Sequence, residues 1–247
     1  MNILVDMWRY SEASDHGIKI DSFDFLVNSK IIKNDCKDCY SFISEEENRT
    51  VLCFSGTKGK LRSWIKNFIV YPLKSDSLVS TKGGPGIIHA GFYSVWQESK
   101  SLVDDVLKRI GNKDIYITGM SQGGAVATIC ARHIIKNRGF DKDKVHLVTF
   151  GAPAQGLGEY VNQVNEALST HFRVVNGYDL VPTLPPDEFG FLHAGSLIWL
   201  RVPWWHKFFY KIGDHFYSTY TKSLMKKFKL SETNLIELKK VLKRVKI

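Results

Sequence analysis

Residues 114–125 read Asp114-Ile115-Tyr116-Ile117-Thr118-Gly119-Met120-Ser121-Gln122-Gly123-Gly124-Ala125. The branched and aromatic run at 114–118 predicts a short strand. The segment from about 122 to 138, rich in alanine at its start and closed by Gly139, predicts a helix. Between them lies Gly-x-Ser-x-Gly, in the strand–turn–helix setting that lets a serine stand above a sheet on a strained turn. Glycines two residues to either side let the strand and helix backbones approach without a Cβ clash. The helix N-terminus then aims its free N–H groups and positive dipole end at the serine. Ser121 is therefore a candidate nucleophile, against the plainer reading of a glycine turn.

Outward from this stretch, residues 39–43 and 49–55 read as strands joined by a turn at 45–48, and 144–150 and 171–175 as further strands. Residues 60–70 predict a short helix and 91–110 a longer one ending at Gly111. Strands alternating with helices imply an α/β fold, with a mostly parallel central sheet and helices on both faces. Ligands of such sheets bind at the carboxyl ends of the strands, here after Thr118, Phe150 and Val175. A nucleophilic serine needs a base and a group that orients the base. Asp179 follows the third strand, as an orienting acid or as a simple turn residue. Three histidines come later. His193 falls in a predicted strand, His206 sits among Trp204, Trp205 and Phe208, and His215 occupies a loop signal, Gly213-Asp214-His215, that suits an exposed base. Position favours His215.

The ordered blocks along residues 40–220 resemble the fungal-type (class 3) lipases, a branch of the α/β-hydrolases. Phe54-Ser55-Gly56-Thr57 with Trp64, His89-Ala90-Gly91-Phe92, and Thr118 to Ala125 are similar to successive family motifs. So are Val148 to Pro153, Arg173 to Asn176 with Asp179, Val181-Pro182 and Leu184-Pro185-Pro186, then Phe191 to Gly195, and Asp214-His215. The resemblance implies an α/β-hydrolase fold and a serine carboxylic-ester hydrolase acting on lipid esters, of triacylglycerol lipase or phospholipase type. It implies Ser121 as nucleophile, Asp179 as orienting acid, His215 as base, and a structural His193. Backbone N–H groups of Thr57 and Gln122 would form the oxyanion hole, and no metal or cofactor is called for. Met120, Gln122, Ser55 and Asn67 depart from the family pattern. A Gly-x-Ser-Gln-Gly elbow also resembles cutinases, which keeps small esters open as substrates. The rival class is a catalytically silent hydrolase fold that binds lipid or protein, and the complete set of three residues argues against it.

Leu61, Trp64, Ile65, Phe68 and Ile69 share one helical face. They form either a permanently packed helix or, as the resemblance implies, a lid. Of 247 residues, 44% are hydrophobic and 24% charged, which suits a folded domain and excludes disorder and fibrous repeats. Residues 201–247 hold 12 Lys and Arg against 3 Asp and Glu, so they carry the whole formal net charge of +9. A nucleic-acid binder with a uniformly basic body is excluded on that ground. Residues 231–247 predict a basic amphipathic helix appended to a domain at 1–230. Together with the aromatic stretch from Trp199, it suits an anionic membrane surface, or simply a docked helix with a solvated face. The N-terminal segment lacks a leader pattern, and Cys36, Cys39, Cys53 and Cys130 read as free thiols. The expectation is a cytoplasmic or membrane-peripheral protein without a transmembrane segment.

Overall fold

The apolar runs form the strands, and the alternation within them separates two cores. A computed structural model describes residues 2–15, 26, 29–35, 40–56, 78–80, 86–209 and 213–229. The main sheet comprises β1 (Lys30–Asp35), β2 (Tyr40–Glu45), β3 (Arg49–Phe54), β6 (Asp114–Met120), β7 (Val145–Phe150), β9 (Thr170–Asn176) and β11 (Ser196–Leu200). They lie side by side in that order. From β3 onward every neighbouring pair is parallel, and β1 and β2 add an antiparallel edge. A small antiparallel sheet contains β4 (Leu78–Ser80), β5 (Ile87–His89), β8 (Gly156–Leu157) and β10 (Phe191–Leu192).

Helices α1 (Ile3–Asp15), α2 (Ala90–Leu107), α3 (Gln122–Arg138), α4 (Gly158–Ala167), α5 (His206–Phe209) and α6 (Tyr217–Phe228) complete the described elements. Leu52, Phe54, Ile115, Ile117, Val145 and Leu147 point to one face, under α2, α3 and α4. Val51, Cys53, Val148, Phe150 and Val174 point to the other, against α1 and α6. Each buried side chain of this kind contributes about 1.5–3 kcal/mol. The α/β-hydrolase fold with helices on both faces is thus present. Among the described residues no helix is long and apolar enough to cross a membrane.

Helix α3 ends as its sequence predicts. Gly139 adopts a left-handed φ of 70°, and its N–H reaches the carbonyls of Ile134 and Ile135. Helix α2 begins one residue early, because the His89 side chain accepts the Gly91 N–H at 3.1 Å and caps it. It ends at Leu107, short of the expected Gly111. Several elements were not anticipated, among them β1, β11, α1, α4 and α6. Strand β1 is a polar edge, Lys-Ile-Ile-Lys-Asn-Asp, without an apolar run to betray it. Helix α1 buries Met7, Trp8 and Tyr10, although Asp6, Arg9 and Glu12 break its apolar spacing. The segment 60–70, Cys36 and Cys39, and the helix expected at 231–247 lie outside the described residues.

Candidate active site

Ser121 sits between β6 and α3 with φ 56° and ψ −129°, a conformation that non-glycine residues rarely adopt. The turn is forced by its surroundings. A Cβ on Gly123 would lie 2.2 Å from the carbonyl oxygens of Phe54 and Ser55, and one on Gly119 would lie 2.4 Å from the Gly123 oxygen. Ser121 N–H donates to the Phe150 carbonyl at 2.9 Å, which ties the turn to the end of β7. The Gly124 and Ala125 N–H groups both donate to the Ser121 carbonyl. Gln122 supplies the first N–H of α3, beside the serine, and such first-turn donors have no intrahelical acceptor.

Asp179 and His215 come from loops 36 residues apart in sequence and meet here. His215 Nδ1 lies 2.9 and 2.8 Å from the two Asp179 carboxylate oxygens. Asp179 Oδ1 also accepts the Val181 N–H at 2.9 Å, and Oδ2 accepts the Tyr220 hydroxyl at 2.7 Å. Gly151, at the end of β7, faces this group. A Cβ there would lie 2.7 Å from Asp179 Oδ2, 2.8 Å from the Tyr220 oxygen and 3.1 Å from His215 Cε1. The serine's anchor at Phe150 and the Asp–His pair therefore share one strand end. Ser121 Oγ and His215 Nε2 are both buried and without a hydrogen-bond partner among the described residues. His215 is only 2% exposed, so the expectation of an exposed base is corrected. The short helical turn at Gly213–His215 packs it inward beneath α6.

Sequence reasoning missed the residues that hold the two loops together. Tyr220 both donates to Asp179 and accepts the Asn176 N–H at 3.1 Å. Burial and the adjacent Asp179 charge push its phenol well above the ordinary range. Asn176 Nδ2 donates to the Asp214 carbonyl at 2.9 Å. The Asp214 carboxylate accepts the Tyr178 N–H at 2.9 Å and lies 2.9 Å from His206 Nδ1. Trp8 of α1 stacks on Tyr220 with ring centroids 5.5 Å apart, and its indole N–H donates to Thr221 at 3.0 Å. The only available sequence signal was position: Tyr220 falls five residues after His215, on a predicted aromatic segment. His193 Nε2 lies 2.6 Å from the Pro182 carbonyl, pinning the turn that follows Asp179. Thr57, Leu61, Trp64, Ile65 and Phe68 lie outside the described residues. Their neighbour Gly56 is placed beside the nucleophile, since a Cβ on it would sit 3.7 Å from Ser121 Cβ.

A family model described as Lipase (class 3) matches residues 51–189, which carry both the elbow and Asp179. The chain belongs to the class 3 lipase family. It is 32% identical over 161 residues to a lipase of Rhizomucor miehei, covering 63% of this chain and 43% of that protein. It is 34% identical over 144 residues to secreted mono- and diacylglycerol lipase 1 of Fusarium solani, covering 57% and 40%. The matched part thus spans under half the length of these two relatives. Among solved structures, the Rhizomucor miehei lipase propeptide complex superposes with a TM-score of 0.68 at 27% identity, covering 80% of this chain and 68% of that one. A triacylglycerol lipase whose catalytic centre is formed by a serine protease triad superposes with a TM-score of 0.66 at 26% identity, covering 79% and 80%.

These class 3 lipases also correct the expected compartment. The similar proteins of Fusarium solani and Malassezia restricta are secreted lipases by name, which overturns the expectation of a cytoplasmic or membrane-peripheral protein. The thiol argument for it fails on physical grounds. Cys53 and Cys130 are both buried, in β3 and α3, with the Cys53 thiol donating to the Tyr10 carbonyl, and a thiol packed inside the fold reports no compartment.

Proposed function

We propose that this chain is a serine carboxylic-ester hydrolase whose substrates are lipid esters, with Ser121 as nucleophile, His215 as general base and Asp179 as the acid that orients it. The observation that carries the reading is the double contact of His215 Nδ1 with Asp179, beside a serine held at φ 56° on the N-terminus of α3. In this reading His215 Nε2 takes the Ser121 proton as Oγ attacks the ester carbonyl. Asp179 fixes the tautomer and stabilises the imidazolium. The Gln122 N–H meets the developing oxyanion, a donor worth about 3–4 kcal/mol, and Thr57 is assigned as the second donor from its sequence position. The alcohol leaves with the proton from His215, and water then attacks the acyl-enzyme by the same route.

Lipid rather than a small soluble ester is favoured by the relatives, which act on mono-, di- and triacylglycerols by name. Neutral glycerides are the first substrates to test, and phospholipids are the second. The exposed face beside the site supports contact with a lipid surface. Trp204 and Phe208 are 69% and 67% exposed, next to Arg201 and Lys207. Aromatic side chains beside cations suit the boundary of an anionic lipid layer. Residues 60–70 are proposed as a lid on their apolar face alone.

The test is hydrolysis of a soluble short-chain ester and of emulsified glyceride by the wild-type chain and by Ser121→Ala. The expected outcome is turnover of both by the wild type and a loss of roughly 10⁴-fold or more in the variant. A folded wild-type chain that turns over neither would support the silent, binding-only alternative.

A further inference from the structure

A cleft of about 440 Å³ lies along β9 and β11 and reaches Asp179, and the rest of its lining takes no part in the reaction proposed above. Its two cations, Arg173 and Lys207, outnumber its one carboxylate, Asp179. Arg173, His193 and Lys207 contribute to the wall, while Leu197 and Trp199 supply its apolar part. Asp179 also borders the cleft, but its two oxygens are already taken by His215, Tyr220 and the Val181 N–H.

Arg173 is the anomaly. Its Nε is buried and has no hydrogen-bond partner among the described residues, and no described carboxylate pairs with it. The residue directly opposite in the β9–β11 register is Leu197, which offers no counter-charge. His193, near Arg173, leaves a second polar atom without a partner. Its Nε2 is engaged with the Pro182 carbonyl, so its other nitrogen, Nδ1, is buried and unpaired. Burial first, and then the nearby Arg173 charge, depress His193 to about 4. Burial likewise lowers Arg173. A half-buried cation without a counter-ion is costly, and a ligand anion relieves that cost. A guanidinium presents its N–H groups as a planar fork that matches a carboxylate or phosphate. At the mouth, Leu197 and Trp199 are 54% and 46% exposed, an apolar track that a bare ion would leave unused.

We propose that this cleft binds the anionic head of a single-chain amphiphile, a carboxylate or phosphate on an alkyl tail, with Arg173 as its counter-charge and the tail along Leu197 and Trp199. Long-chain fatty acid is one such ligand, and if the ester hydrolysis proposed above holds, it is also the product released next door. The binding itself does not depend on that reaction.

The test is titration calorimetry on the full chain carrying Ser121→Ala, with laurate, dodecyl phosphate, dodecanol and inorganic phosphate, each below its micelle concentration. We expect saturable binding of laurate or dodecyl phosphate, the tighter of the two naming the head group, with dodecanol and inorganic phosphate at least tenfold weaker. Arg173→Gln should weaken binding at least tenfold. Leu197→Glu, which sets a carboxylate opposite Arg173 on an exposed position, should abolish it without lowering the melting temperature. Equal affinity for dodecanol and laurate would overturn the proposal. So would unchanged affinity in a folded Leu197→Glu variant, or no saturable binding of either anionic amphiphile. None of these results depends on whether the chain hydrolyses esters.

Discussion

Tyr220 is the residue on which the Asp179–His215 pair depends most visibly. Its hydroxyl donates to Asp179 Oδ2 at 2.7 Å in a buried setting, and a hydrogen bond to an ionised group contributes about 1.5–3 kcal/mol. In Tyr220→Phe one carboxylate oxygen loses its second donor while the ring packing against Trp8 remains. We expect kcat on a short-chain ester to fall about tenfold with KM nearly unchanged, since roughly 1.4 kcal/mol corresponds to a factor of ten. A change confined to KM would place the tyrosine in substrate binding instead. Residues whose chemistry is local were legible in the sequence. Ser121 was marked by its flanking glycines, and Asp179 by its place after a strand. Tyr220, Asn176 and Asp214 act through contacts 36 to 44 residues away, and a sequence without the fold cannot show such pairings.

At the scale of elements, the elbow requires that β3, β6 and α3 approach without side chains between them. Gly123→Ala would drive a methyl into two backbone carbonyls at 2.2 Å, and backbone yields less easily than a flexible side chain. We expect a loss of about 3 kcal/mol or more, at the upper end of overpacking, seen as a lowered urea midpoint. Gly111→Ala serves as a control, because nothing lies within 4 Å of an added Cβ there, although its φ of 62° adds some backbone strain. Helix α1 acts as a buttress for the site. Trp8 packs against Phe150 at 4.8 Å and Tyr220 at 5.5 Å, linking the N-terminal segment to β7 and to the tyrosine under Asp179. Trp8→Ala should cost about 3–5 kcal/mol, and its activity loss at a temperature where it stays folded should resemble that of Tyr220→Phe. The apolar spacing of α1 was present in the sequence but weak, because Asp6, Arg9 and Glu12 interrupt it. The structure explains part of that polarity: Asp6 pairs with Arg49, and Glu12 accepts from Thr221.

For the whole molecule, histidines taken partly or wholly out of water set the response to acid, His89, His171 and His193 most strongly. Burial lowers His89 and His193 to about 4 and His171 to about 3, from an ordinary value of 6.5. The unfolded chain therefore takes up protons first as pH falls. Their contribution is intact above about 6.5 and is lost as pH drops toward 4. Asp104, held down by Arg138, His133 and Lys100 against the opposing effect of burial, adds its loss only below the ordinary carboxylate value of 3.8. Thermal unfolding should thus show a falling melting temperature between pH 6.5 and 4, and His171→Gln should flatten that slope. A slope appearing only below pH 4 would contradict this assignment. The net charge of +9 belongs to residues 201–247, and the exposed aromatic face lies in the described part of that region. The sequence placed the charge correctly but misled on compartment, because buried thiols report packing and not the redox state outside. Everything proposed for the site requires Ser121 to be an activated nucleophile. The most direct test is labelling of the folded chain with a fluorophosphonate probe, mapped by peptide mass spectrometry. Ser121 should be the single modified residue, with no labelling in Ser121→Ala and strongly slowed labelling in His215→Ala; a folded wild-type chain that stays unlabelled, or carries the label elsewhere, would rule out Ser121 as the nucleophile.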